Sequence, residues 1–338
     1  VVTEYLFNLA TKRGNTIGDA SAVVTGLLLA LTLPAQVPVY VPVLGAVFAI
    51  LVVKCLFGGL GHNIMNPALA GRSFLLISFG VSMTGYTLDG VSAATPLAEV
   101  AAGRSVDVVA MALGNTSGVI GSSALGLLAG GIYLLLSRGI TWEIPTATIG
   151  STAVFLALFG GHGLDPAYLV PQLLGGGLLM AAFFMATDPV TGPSTTKGQL
   201  LYGTLTGVLI GLFRVKGNAA DSTTYAVLLA NLFGNLIDEL FIPVPYGFRI
   251  PKEFKKAIPK PVSILLVITL IAGAVLSGVY VTTSERIAQN NEQANQAAYR
   301  AVIPQAESFR SLELAQGTAG TTQIQRAVSY THLTLPTT

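Results

Sequence analysis

Charge is scarce in this chain of 338 residues. Lys and Arg number 18, Asp and Glu 16, so charged residues make up 10%, against about 25% in ordinary soluble domains. A water-soluble enzyme of this length would need far more charge on its surface. Cysteine is nearly absent too. With Cys55 alone, the chain supplies no cysteine-ligated iron–sulfur cluster, no structural zinc site and no internal disulfide framework; packing is its expected role. The three histidines (His62, His162, His332) lie far apart, so no metal site is expected. The net charge of +2 is uninformative by itself, and no nucleic-acid partner is expected.

Apolar residues fill the space that charge leaves. Hydrophobic residues reach 52% and glycine numbers 38, and mean hydropathy is +0.68. Small residues let transmembrane helices approach closely. Apolar runs fall at about 17–33, 38–57, 73–87, 118–137, 145–160, 168–186, 199–213, 224–241 and 262–282. Several are short for a span of about 20 residues, and Gly and Pro break many of them, as at Pro171 and Gly175-Gly176-Gly177. The strict alternation of a transmembrane β-barrel strand is missing. The expected fold is an all-α polytopic membrane protein: a helical bundle with inverted repeats and broken helices, plus one C-terminal anchor helix at 262–282.

Basic residues orient such a bundle. With the 88–117 connection outside, Lys12, Arg13, Lys54, Arg72, Arg138, Lys197 and five basic residues of 249–260 fall inside, against Arg104, Arg214 and Lys216 outside. An internal duplication is suggested by Thr16-Ile17-Gly18 before Ala22-Val23 and Thr148-Ile149-Gly150 before Ala153-Val154, about 130 residues later; chance similarity in an Ala/Gly/Val-rich chain is the alternative. Asn66-Pro67 and Asp188-Pro189 each place an N-cap residue before a proline at an expected helix start.

The 88–117 connection holds Asp89-Gly90-Val91-Ser92-Ala93-Ala94-Thr95-Pro96. Thr95 suits an N-cap and Pro96 a first helical position. A helix N-terminus favours phosphate, and Ser92, Ala93 and Ala94 are small enough to let a bulky group approach. An ordinary capped helix is the plainer reading of the same residues. Elsewhere, Asn63, Asn66 and Arg72 could line a cofactor or ion path or cap and anchor a helix. Thr187, Asp188 and Thr191 form a polar break, with Asp188 a cap first and a flavin or ion contact second. Asp19 is expected to cap a helix, and Asp238 and Glu239 to be a solvated helix end.

The Asp89-x-x-Ser92-x-Ala94-Thr95 pattern resembles the site at which a flavin transferase attaches FMN through a phosphoester to threonine. It occurs in the D subunit of Rnf complexes and in the B subunit of sodium-translocating NADH:quinone reductase. Further blocks extend the resemblance over about residues 3–250: Asn15 to Asp19 with Ser21 to Gly26, Phe57 to Gly61 with Asn66 to Arg72, and Met185 to Thr191. The match is closest to the Rnf D subunit. It implies FMN covalently held on Thr95, with Asp89 and Ser92 recognised by the transferase or settling the phosphate, Ala94 beside them, and Asn66, Arg72, Thr187 and Asp188 as secondary flavin-contact candidates. Where Ala93 stands, the family more often has Gly. The resemblance also implies a second, non-covalent flavin (riboflavin) as a candidate, no catalytic residue in this chain, and an electron relay within an ion-translocating (Na⁺ or H⁺) ferredoxin:NAD⁺ oxidoreductase. Its partners would be the A, B, C, E and G types of Rnf subunit, the flavin transferase and membrane lipid. The protein would be a multi-pass component of the bacterial inner membrane, with the Thr95 loop on the outer, periplasmic side. The competing readings are the quinone-reductase B subunit and a non-redox, urea-channel-like solute channel.

Residues 251–316 are similar to the start of an Rnf G subunit: a basic stretch, one anchor, then Ala301-Val302-Ile303-Pro304. A joined D–G chain suggests a fused fragment or a reading-frame artefact. The stretch 317–338, ending in Ser329 to Thr338, fits neither subunit and reads as artefactual. Family members usually begin with further membrane helices, so the resemblance implies a natural start upstream of Val1.

Overall fold

Glycines at every fourth position of one helix face bring two long helices into backbone contact, and the rest of the body is arranged round that pair. In the computed structural model, residues 1–14, 16–88, 91–217, 221–241, 308–312 and 327–331 are described. They fall into two units, Val1–Tyr246 and Gly247–Thr338. The first unit is helical: α1 (Val2–Thr11), α2 (Ser21–Leu31), α3 (Tyr40–Phe48), α4 (Pro67–Ser78), α5 (Gly80–Thr84), a two-stranded ladder of β1 (Thr87–Leu88) and β2 (Val91–Ser92), then α6 (Pro96–Ala101), α7 (Val108–Leu113), α8 (Ala124–Leu136), α9 (Glu143–Phe159), α10 (Pro166–Leu174), α11 (Leu178–Met180), α12 (Thr196–Lys216) and α13 (Ser222–Phe241). The second unit contains an antiparallel ladder of β3 (Ser308–Leu312) and β4 (Ala327–Thr331), in register from Ser308↔Thr331 to Leu312↔Ala327. The described residues are thus mostly helical, with two short ladders among them that the apolar pattern does not announce. The expected anchor at 262–282 lies outside the described residues.

The apolar runs become helices nearly where expected, with two systematic differences. α4 begins at Pro67, ahead of the apolar run at 73, because Asn66 caps it and the intervening small and polar residues are buried against other helices. Two runs end in π-helical turns, Ala49–Cys55 after α3 and Ala181–Met185 after α11. Among the described residues one helix, Thr196–Lys216, is long and apolar enough to cross a bilayer by length and composition. The pair Pro166–Leu174 and Leu178–Met185 joins it if its 51° bend is read as one broken span. The break has a local cause: Pro171 lies inside α10, and Gly176 and Gly177 take positive φ of 61° and 70°, which glycine adopts without strain.

Gly203 faces Ile144 and Ala147, Gly207 faces Thr148, Ser151 and Thr152, and Gly211 faces Phe155. The paired numbers rise together, so α9 and α12 run parallel. Tyr202 pairs with Asn231 and Gly198 lies on Ile237, so α13 returns antiparallel to α12. The same succession occurs in the first half. There α2 is followed by α3 with its π end, a polar turn, and α4, whose Gly71 and Arg72 lie beside Leu29 and Thr32 of α2. The two π ends and the helices after them are separated by about 130 residues, the offset of the sequence similarity. Thr16-Ile17-Gly18 and Thr148-Ile149-Gly150 nonetheless differ locally: the first enters a short 3₁₀ turn (Ile17–Asp19), the second lies mid-helix in α9.

Polarity is arranged inside out. Leu136, Ile77 and Val81 are exposed, whereas Glu4, Lys54, Arg72, Arg214 and Asp221 are buried. Lys54 donates to Glu4 at 2.8 Å and to Ser21 at 2.5 Å. Lys54, Arg72 and Arg214 are therefore not loop charges, correcting the orientation count; the remaining bias keeps its direction. Asp188-Pro189 does not open a helix but forms a turn, with Asp188 accepting from Val190 N and Thr191 Oγ1. Asp238 is no idle helix end: its carboxylate accepts from Ser194 N (3.0 Å) and Ser194 Oγ (2.8 Å), pinning α13 to the turn before α12. Asp19 accepts from the Ser21 hydroxyl and amide at the start of α2, and that bonding holds its carboxyl below the usual range.

Gly207→Leu should lower the unfolding free energy in detergent micelles by at least about 1–3 kcal/mol through overpacking. Gly150→Ala, on an open part of α9, should be neutral or gain up to about 1 kcal/mol. Denaturant unfolding followed by helical circular dichroism compares the two.

Candidate functional site

Thr95 sits where the sequence placed it, as the N-cap of α6 with Pro96 at the first helical position. Its backbone is extended (φ −69°, ψ 155°) and its Oγ1 accepts from Ala98 N at 3.4 Å. α6 has six residues, so its dipole is modest, and the surroundings of Thr95 carry more of the argument than the helix end. Three contacts hold the residue. The β1–β2 ladder pairs Thr87 with Ser92, Ala93 N donates to Tyr86 O at 3.2 Å, and the Ser117 hydroxyl donates to the Ala94 carbonyl. The segment carrying Ser117 is itself zipped onto the end of α2, with Ile120 N donating to Leu33 O (2.9 Å) and Gly121 N to Leu31 O (2.7 Å).

These segments enclose a cavity with about 900 Å³ of empty space, its open mouth included. Thr95 and Pro96 lie on its wall with Arg72 and Tyr86, the hydroxyl-bearing residues Thr32, Thr116, Ser117, Ser122, Thr223 and Thr224, and apolar residues including Leu69, Met111 and Met180. That mixture, an apolar lining with a few convergent polar groups, is the usual composition of a cofactor pocket. Among the described lining residues, Arg72 carries the one charge.

Arg72 is fixed from three sides. Its Nε donates to Thr224 Oγ1 at 3.2 Å, Nη1 donates to the Thr32 carbonyl, and Nη2 pairs with Asp221 Oδ1 at 2.9 Å. Both charged side chains are at least nine-tenths buried, an arrangement that holds only when the ions are paired and hydrogen-bonded. A second buried cation stands behind the glycine break. Arg214 donates to the carbonyls of Gln172, Gly175 (3.1 Å) and Gly176 (3.4 Å), at the bend between α10 and α11 where the regular helical ladder is interrupted. Thr223 also donates to Gly176 O, at 2.7 Å. Among the described residues no carboxylate pairs with Arg214.

A second polar group forms around Asn66. Its side chain accepts from Ala68 N and Leu69 N, capping α4, and donates to Met185 O at 3.2 Å. Its own amide N donates to the Asn231 side chain at 2.9 Å, and Asn231 in turn donates to Tyr202 Oη at 2.6 Å and to Val227 O. Asn63 donates to Met65 O and, at 3.5 Å, to Asp188 Oδ2. Thr187 donates back to Phe183 O.

Of the sequence-predicted site residues, the structure brings Thr95 and Arg72 to one cavity, with the Ala94 carbonyl bound just behind. It does not bring Asn66, Thr187 or Asp188 to that wall. Ser92 is placed as a strand residue in β2, and Asp89 lies outside the described residues. Cys55 is buried, as packing requires, and no three His, Cys, Asp or Glu side chains among the described residues converge on a metal position. Sequence reasoning alone misses Tyr86, Ser117, Asp221, Thr223, Thr224 and Arg214. The polar run Asp221-Ser222-Thr223-Thr224 ahead of an apolar stretch is the available signal for three of them.

A profile of the NQR2, RnfD, RnfE family matches residues 1–247. The chain belongs to this family. Among family members, it is 39% identical over 268 residues to the D subunit of the proton-translocating ferredoxin:NAD(+) oxidoreductase complex of Clostridium ljungdahlii, covering 74% of this chain and 81% of that one. It is 40% identical over 266 residues to the D subunit of the Na(+)-translocating ferredoxin:NAD(+) oxidoreductase complex of Acetobacterium woodii, covering 75% and 82%. The D subunit of the ion-translocating oxidoreductase complex of Escherichia coli K12 is 37% identical over 281 residues, covering 69% and 79%. These relatives within the NQR2, RnfD, RnfE family are components of oxidoreductase complexes.

Asn66→Ala removes a helix cap and the side-chain hydrogen bond to Met185 O. A loss of about 1–3 kcal/mol is expected, measured by thermal unfolding in detergent, with Asn66→Asp recovering part of it because aspartate caps equally well.

Proposed function

We propose that this chain is the D-type membrane subunit of an ion-translocating ferredoxin:NAD⁺ oxidoreductase, and that it carries FMN as a phosphoester on Thr95. The observation that carries the reading is that Thr95, in an Asp-x-x-Ser-x-Ala-Thr sequence, stands on the wall of an apolar cavity that also holds a fixed guanidinium. The residues fit the group. The small side chains of Ala93 and Ala94 leave the Thr95 hydroxyl accessible to a bulky partner, the apolar walls suit a planar tricyclic ring, and the wall hydroxyls suit a polyol chain. Bound there, the isoalloxazine would supply reversible electron transfer. The protein's part is to hold it, exclude water and set the charge around it.

Each residue then has a task. Thr95 is the attachment point. Ser117 and the β1–β2 ladder hold the attachment backbone still, while Leu69, Met111 and Met180 keep water away. Ferredoxin and NAD⁺ would be handled by partner subunits of the other Rnf types, and a flavin transferase would load Thr95 on the outer side, the orientation that the remaining basic-residue bias favours. The exposed apolar helix faces, the buried charges and the broken helices support a polytopic bundle. The repeated succession of helix, π-ended return and third helix supports a pair of inverted repeats of the kind found in transporters. The relatives named for H⁺ and for Na⁺ are equally similar, so the D-type role extends to either coupling ion.

The test is co-expression of the full chain with its flavin transferase, then a denaturing gel viewed under ultraviolet light. The band should fluoresce, and Thr95→Val should abolish at least about nine-tenths of the signal. A dark wild-type band would refute the carrier reading; a fluorescent Thr95→Val band would refute the site.

A further inference from the structure

The buried pair Arg72–Asp221 has an orientation that the carrier reading does not use. Arg72 is on the cavity wall and Asp221 is not, so the positive end of the pair faces the space and the negative end faces the protein. Three of the five guanidinium N–H groups go to Thr32, Thr224 and Asp221. Tyr86, on the same wall, interacts with the same guanidinium, and at least one N–H is left for a ligand. A guanidinium clamped from three sides has a fixed direction, so it acts as an oriented charge.

Resting on the Thr95 assignment, we propose that Arg72 is a positioning residue for the isoalloxazine: its free N–H bonds the polar N1/C2 carbonyl edge of the ring, and its charge favours the reduced ring as an anion. Two features of the site single out that edge. The phosphate end is committed to Thr95, and the dimethylbenzene end of the ring is apolar and matches the Leu and Met lining, which leaves the pyrimidine end for the guanidinium. On reduction the ring takes two electrons and one proton, the proton going to N5, and N1 is left with the negative charge. A fixed cation next to N1 stabilises that product more than the neutral oxidised ring, and the low dielectric of the cavity magnifies the difference. Arg72 thereby raises the midpoint potential of the bound flavin. The electrons come from a reduced redox centre of a neighbouring subunit in the complex, or from dithionite in the test.

The full chain, co-expressed with its transferase and purified in detergent, would be titrated with dithionite against a reference dye, following flavin absorbance. Arg72→Gln leaves Asp221 buried and unpaired, so the Arg72→Gln/Asp221→Asn double variant, which keeps the hydrogen-bonding shape without either charge, is the principal comparison. Its equilibrium should shift at least tenfold towards the oxidised flavin, about 30 mV for a two-electron couple. Arg72→Lys, which keeps the charge, should shift it less. The charge-free double variant should also lose the anionic form, so that its midpoint potential falls more steeply with pH. A fluorescent gel band with an unmoved potential in the double variant overturns the role of Arg72 and leaves the Thr95 reading standing. A dark wild-type band overturns both.

Discussion

A helix that breaks inside an apolar surrounding leaves backbone carbonyls and amides that water cannot reach, and each must find another partner. Much of this protein is a set of answers to that constraint. Arg214 takes the carbonyls at the glycine break between α10 and α11, Asn66 takes the amides at the start of α4, and Arg72 takes the carbonyl at the end of α2. Two of the three answers use a cation, and a buried cation has its own cost. Arg72 meets it with Asp221. Arg214 meets it with the partial negative charge of a helix C-terminus, where several carbonyls converge. The cavity beside Thr95 is walled both by segment ends, such as Gly175 to Gly177 and Thr223 to Thr224, and by helix faces, such as that of α4 at Leu69 and Arg72.

Local chemistry was legible in the sequence because it is local. A threonine before a proline announces an N-cap, and the cap at Thr95 is present; the same signal at Asn66-Pro67 also holds. At Asp188-Pro189 it fails because the next residues, Val190 to Gly192, turn before a helix can start, and the helix is capped instead by Thr195. Most apolar runs gave helices. What period and composition cannot supply is pairing at a distance. Arg72 and Asp221 are 149 residues apart, and nothing near either one announces the other. Counting Lys54, Arg72 and Arg214 as loop charges failed for the same reason: a basic residue next to an apolar run is usually at the water interface, and these three are held inside by partners contributed from other helices. The π-helical ends were invisible as well, since their sequences, Ala49 to Cys55 and Ala181 to Met185, are as apolar as any regular helix.

The parallel seam of α9 and α12 explains why the second half of the body tolerates its broken return. Glycines at 203, 207 and 211 let the backbone of α12 lie directly against α9, including its Ala147, Ser151 and Phe155 side chains, and dispersion over that length takes the place of the hydrophobic effect, which is weak between helices in lipid. The return segment α10–α11 can then bend by 51° against a partner that does not move. Tyr202 and Asn231 extend the same rigid unit to α13 and, through Asn66, to α4, so the two halves meet at a hydrogen-bonded joint.

The β1–β2 ladder and the Ser117 contact tie the backbone that leads into Thr95 to fixed parts of the body, and α6 continues directly from it. Any group esterified to that hydroxyl would hang from a stationary post, and its travel would be limited to the length of its own ribityl chain. A carrier moored in this way cannot shuttle. Donor and acceptor would each have to bring their redox centres within electron-tunnelling range of one place, so the geometry of the whole assembly would be set by where this short leash is fastened.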